Sequence, residues 1–89
     1  MGKAHADSEA IRAFAKQVKE YVREQEALIG KLRAKYSAVN SQWNDMQYQK
    51  FGVALSELEK AIKQTAPAFQ EYAKKLEGKA KQVDEYLGG

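Results

Sequence analysis

The sequence predicts an all-α protein: a long two-helix hairpin, its second helix kinked at Pro67, associating with another hairpin into a four-helix bundle. Three observations carry this. Apolar residues recur alternately three and four apart over two long stretches, the spacing of one helical face. No stretch alternates at period two, as a half-buried strand does. Between the stretches lie Asn40, Ser41, Asn44 and Asp45, residues that favour turns and helix caps. The chain of 89 residues is read as one domain, 1–89. A core of this size is thin. With no cysteine, disulfides and thiolate zinc sites are excluded, so association is the expected source of further stability.

Helix one is expected over about 8–39. Met1–Ala6 reads as frayed, and Asp7 or Ser8 as the cap, with Glu9 in the first turn. Ile11, Phe14, Val18, Tyr21, Gln25, Leu28 and Leu32 then fall at heptad a and d positions. Ala15, Val22, Ile29 and Tyr36 add an apolar e position. That stripe is wider than a two-stranded coiled-coil seam and suits a bundle. Lys31, Arg33 and Lys35 complement the dipole at the helix end. Gly30 lies on the outer face and reads as tolerated.

The turn is expected at 40–45, with Asp45 as N-cap of a second helix over about 46–87. Tyr48, Phe51, Leu55, Leu58, Ile62, Thr65, Phe69, Tyr72, Leu76, Lys79, Val83 and Tyr86 hold the three-four alternation throughout. Pro67 lies inside that run. It either starts a third helix or kinks a single one, and the unbroken phase favours the kink. Small residues flank the stripe, from Gly52 and Ala54 to Ala73 and Ala80, and allow close helix approach.

Pairing positions equidistant from Gln42 sets Tyr36 against Tyr48, Leu28 against Leu55, Val22 against Ile62 and Phe14 against Phe69. Helix one then ends near Ser8, opposite Leu76. Leu76, Ala80, Val83, Tyr86 and Leu87 are left as an overhanging apolar strip, a face for a dimer or another partner.

Fifteen basic and twelve acidic side chains give a net charge of +3. Lysines alternate with glutamates, and Glu71–Glu85 holds four acids and four lysines. That is a solvated helix exterior rather than a nucleic-acid stripe. No run is apolar enough to span a membrane. Met1–Asp7 lacks the apolar core of a signal peptide, so the chain is expected to be made in the cytoplasm and, if secreted, to leave without a cleaved one. His5 with Asp7 and Glu9 reads as a solvated terminus, not a metal site. Glu57, Glu59 and Lys60 read as an exposed charged face. With no glycine-rich phosphate loop or nucleophile elbow, the chain is expected to be neither an enzyme nor a cofactor binder.

Trp43, the sole tryptophan, lies in the turn. It suits a plug closing the hairpin end with Tyr36, Val39, Tyr48 and Phe51, and equally an anchor for a partner. A helix, a turn bearing Trp-x-Gly and a second helix, in a chain of this length, characterise the WXG-motif family of bacterial type VII secretion. This chain resembles that family in layout, in Trp43, and in Tyr48 and Phe51 after the turn. It differs in having Asp45 where the family has glycine, a residue that caps a helix well. The family's export signal is Tyr, three residues, then Asp or Glu. Tyr72 is followed at that spacing by Leu76, with Glu77 one residue further; Tyr86 does not meet it.

The resemblance implies a protein that works by protein–protein recognition, as a secretion substrate, a co-exported partner or a toxin adaptor. Its partners would be a second copy, another helical hairpin or the helical domain of a toxin. The alternative is an intracellular structural or adaptor module unrelated to secretion. Trp43→Ala separates the roles of the turn. A buried indole lost to alanine lowers stability by about 3–5 kcal/mol in thermal melting. An exposed one leaves melting nearly unchanged and weakens association. No change in either leaves Trp43 without a role.

Overall fold

In the computed structural model the described residues are 2–88, with side chains described for 7–86; His5 and Leu87 therefore lie outside the described side chains. Helix α1 spans Gly2–Ala38 and helix α2 spans Met46–Gly88, joined by a 3-10 turn at Val39–Ser41 and a short loop. No strand occurs among the described residues. The Val39 carbonyl accepts the amides of both Gln42 and Trp43 at 3.0 and 2.9 Å, which closes the turn. Ion pairs of Arg33 with Glu59, Lys19 with Glu77 and Arg12 with Asp84 run down the hairpin, so the helices are antiparallel.

The hairpin measures 64 × 18 × 13 Å, with a radius of gyration of 19.8 Å. A compact domain of this length has about 12 Å. The accessible surface is 6995 Å², against about 5,200 Å² for a monomeric globule of the same mass. The molecule is a rod one hairpin thick.

Its seam is narrow. α1 buries Ser8, Ala15 and Val22, with Ile29 and Tyr36 half-buried on the same heptad line. α2 buries Tyr48, Leu55 and Ile62. The buried line then steps by four residues to Ala66 and resumes in sevens through Ala73 and Ala80. Such a step locally changes how a helix winds against its neighbour. It falls beside Pro67, through which α2 continues without reversal. Proline has no amide to give the Lys63 carbonyl. One turn earlier, the Thr65 hydroxyl donates to the Ala61 carbonyl at 3.0 Å.

Three expectations are corrected. α1 begins at Gly2, not at a cap on Asp7 or Ser8, and Ser8 is wholly buried in the seam. The equidistant register holds at Tyr36–Tyr48 but not further out: Phe69 meets Tyr21 at 6.3 Å between ring centroids, in place of Phe14. Helical side chains lean toward the N-terminus of their own helix. In an antiparallel pair both leans carry each α1 residue to a later residue of α2. With the extra turn of α1, the end of α2 is covered: Ala73 and Ala80 are fully buried and Leu76 and Val83 half-buried. Leu76, Ala80 and Val83 thus form no overhanging strip. Tyr86 alone of the described members is open, at 87% exposure.

Gly30 and Gly78 lie inside helices with open space where a Cβ would be. Replacing either by alanine removes glycine's backbone-entropy penalty, about 1 kcal/mol at most, and meets no obstacle. Gly30→Ala and Gly78→Ala are each expected to raise the denaturation midpoint; a fall would show that these positions are packed.

Candidate partner interface

The closed end of the hairpin is held by an aromatic clasp. Tyr36 and Tyr48 stack with centroids 4.1 Å apart and planes 5° from parallel. Each hydroxyl donates to the other's backbone carbonyl: Tyr36 Oη to Tyr48 O at 2.8 Å, and Tyr48 Oη to Tyr36 O at 2.7 Å. Burial, with Tyr36 alongside, pushes the Tyr48 phenol above its ordinary pKa. The Arg33 guanidinium lies 5.6 Å from the Tyr36 centroid and pairs with Glu59. Gly52 makes room for this, since a Cβ there would overlap the Tyr36 hydroxyl and ring.

Asp45 is the N-cap of α2. Its Oδ1 accepts the Tyr48 amide at 3.0 Å, satisfying one of the donors a helix start leaves open. That bond, then the neighbouring Trp43 side chain, holds the carboxyl below its ordinary pKa. Asp45 therefore does what glycine cannot: its side chain caps α2. Trp43 meets Tyr48 edge-on at 5.3 Å and stays 45% exposed. It is half plug and half open surface.

Away from the turn, the two flanks of the seam differ. On one flank the ion pairs Arg12–Asp84, Lys19–Glu77 and Arg33–Glu59 bridge the helices. Exposed pairs of this kind add little stability, but they fill that flank with polar groups. On the other flank α1 carries Phe14, Tyr21, Leu28 and Leu32, and α2 carries Phe51, Leu58, Phe69 and Tyr72, all exposed. Phe14 and Leu28 are 59% and 63% open. The seven-residue spacing of Phe14, Tyr21 and Leu28, and of Phe51, Leu58, Thr65 and Tyr72, puts each set on one side of its helix. Contacts place both sets on the same side of the hairpin. Tyr21 meets Phe69, and Phe51 stacks on Tyr36 at 5.8 Å. Tyr21, Leu28, Leu32 and Leu58 line one groove of about 330 Å³ with Ile29 and Ile62.

The structure thus splits the site residues read from the sequence. Trp43, Asp45, Tyr48 and Phe51 converge at the turn. Leu76, Ala80 and Val83 go into or beside the seam, Tyr86 stays outside it, and Leu87 lies outside the described side chains. The large open face of Phe14, Tyr21, Leu28 and Leu58 was legible as a stripe too wide for one neighbour. Arg33, which flanks the clasp, carries no signal beyond position, and Gly52 was legible only as one of the small residues that allow close helix approach. Among the described residues no group of acids and histidines could hold a metal, and no helix is long and apolar enough to cross a membrane.

Two measurements test the clasp. Gly52→Ala is expected to lower the denaturation midpoint, opposite in sign to Gly30→Ala, because the added methyl displaces Tyr36; an equal rise in both would refute the close approach. The second is acid stability. The carboxyls of Asp45 and Glu59 are both lowered, by the Tyr48 amide and by Arg33 respectively. Their stabilisation is present above the unfolded carboxylate pKa of about 4 and is lost as pH falls through the lower native values. Melting temperature is expected to drop below about pH 4, and Asp45→Asn to flatten that drop. A drop of the same size in Asp45→Asn would show that the cap does not titrate with folding.

No curated protein and no solved structure matches this chain. The model of the WXG100 family, proteins of 100 residues with WXG, matches residues 4–86. That match covers both helices and the Trp43 turn between them, and by it the chain belongs to the WXG100 family.

Proposed function

We propose that this hairpin, a member of a family of small helical proteins associated with type VII secretion, serves that pathway without catalysis, by presenting its apolar flank to another helical chain. The observation that carries the proposal is the contrast between the two flanks. One is closed by interhelical ion pairs, and the other exposes Phe14, Tyr21, Leu28, Leu58, Phe69 and Tyr72 side by side. Scattered exposed apolar residues need no explanation, but a contiguous strip along a whole hairpin marks an interaction site. The half-open Trp43 ring adds an anchor at the turn end. The occupant of the flank is another helical hairpin or the helical domain of a toxin.

Leu28→Glu and Leu58→Glu place a charge in the strip without touching the ion-paired flank. In a bacterium with a type VII machinery, each variant is expected to lose its helical partner in pull-down and to disappear from the culture supernatant together with it. Gln70→Glu, on the opposite flank, is expected to behave as wild type. Export and partnering of both leucine variants at wild-type levels would overturn the proposal and favour a structural module with no part in secretion.

A further inference from the structure

The two helices do not spend the same number of residues on the same length of rod. On the ion-paired flank α1 takes fourteen residues from Arg33 back to Lys19, whereas α2 takes eighteen from Glu59 to Glu77, their partners. Further out the counts are equal again: Lys19 to Arg12 and Glu77 to Asp84 are seven each. The buried lines carry the same difference. α1 keeps its sevens from Tyr36 to Ser8. α2 keeps them from Tyr48 to Ile62, takes eleven to Ala73, and then seven to Ala80. Two separate rows of side chains thus put four extra residues into α2 between Ile62 and Ala73, about 6 Å of helix.

The backbone is weakened in the same stretch. Pro67 gives the Lys63 carbonyl no amide. The Thr65 hydroxyl donates to the carbonyls of Ala61 and Ile62 at 3.0 and 3.3 Å, a back-bond that bends helices. The packing changes there too. On the turn side the seam buries Val22, Tyr48, Leu55 and Ile62, and the Tyr36–Tyr48 stack with its two hydroxyl bonds closes it. On the far side the fully buried residues are Ser8, Ala15, Ala73 and Ala80, each burying one methyl or hydroxymethyl group. Burial stabilises in proportion to apolar area, and the exposed ion pairs Lys19–Glu77 and Arg12–Asp84 add little to it.

We infer that Pro67 and the four-residue offset form a hinge, and that the far half of the hairpin, α1 before Val22 and α2 after Pro67, opens as one unit while the clasped half stays folded. Helices in proteins owe most of their stability to packing of an amphipathic face, so the two released segments melt together. The boundary falls at Pro67 because a helical hydrogen bond is already missing there. The hairpin is a firm head at the turn with a releasable far end. This inference concerns the seam and is independent of what covers the apolar flank.

Native-state hydrogen exchange of the full chain, followed residue by residue at denaturant concentrations below the unfolding transition, tests it. Amides of 10–18 and 73–81 are expected to exchange through one shared opening, about tenfold or more faster than those of 22–36 and 48–62. Two variants separate the halves. Pro67 is exposed, so Pro67→Ala mends the helix without leaving a cavity, and is expected to raise the protection of 10–18 and 73–81 by one common factor. Gly52→Ala loosens the clasp, and is expected to lower the protection of 48–62 while leaving 10–18 and 73–81 as in the unmodified chain. Protection that climbs smoothly from both ends to the turn, with no step at Pro67, overturns the hinge. So does a rise confined to 73–81 in Pro67→Ala. A fall of equal factor everywhere in Gly52→Ala shows a single cooperative unit and overturns it as well.

Discussion

A helix presents only part of its circumference to one neighbour, and each helix of this chain carries apolar residues over a wider arc than that. The hairpin must therefore choose which part of the stripe to bury. It buries the line with small or branched side chains, Ala15 and Val22 against Leu55, Ile62, Ala73 and Ala80, where helix axes can approach closely. The bulky line of Phe14, Tyr21, Leu28, Leu58 and Phe69 is left outside. The elongated shape, the excess surface and the two unlike flanks all follow from that choice. So does a thin core, because a seam in which three of the seven buried apolar residues among those described are alanine gains little from burial.

The turn is where the chain departs most plainly from the pattern of its family, and the departure has a physical purpose. Glycine there would leave the first amides of α2 unanswered. Asp45 answers the Tyr48 amide with its carboxylate. Tyr48, fixed by that cap, stacks on Tyr36, and the exchange of hydroxyl bonds with backbone carbonyls locks the two helices at one level. The register of the rest of the hairpin starts from that pair. The open side of Trp43 lies at the end of the same cluster, so that exposed ring face is rigidly mounted.

Helix content, the position of the turn, the Asp45 cap and the Tyr36–Tyr48 pairing were legible in the sequence because each depends on neighbours close in the chain. The continuation of α2 through Pro67 was legible too, from the unbroken apolar spacing. What was not legible depends on geometry between helices. Spacing alone does not say which edge of a wide stripe turns inward, so Ala80 and Val83 read as a partner face although they close the seam. Counting residues from Gln42 ignores the lean of side chains along their own helices, so Phe14 was set against Phe69 in place of Tyr21. The early start of α1 at Gly2 was hidden because Asp7 and Ser8 look like a cap, yet Ser8 is small enough to pack inside. The Arg33–Glu59 pairing and the role of Gly52 exist only once the rings of the clasp are placed.

The central claim is that the bulky flank is covered in solution by another helical chain. Hydroxyl-radical footprinting of the folded protein at the concentration at which it associates measures this side chain by side chain. The account predicts that Tyr21, Leu28 and Phe69 are protected while Tyr86, which stands clear of the seam, reacts freely. Labelling of Tyr21 and Phe69 as fast as Tyr86 would contradict it and leave the flank an open surface.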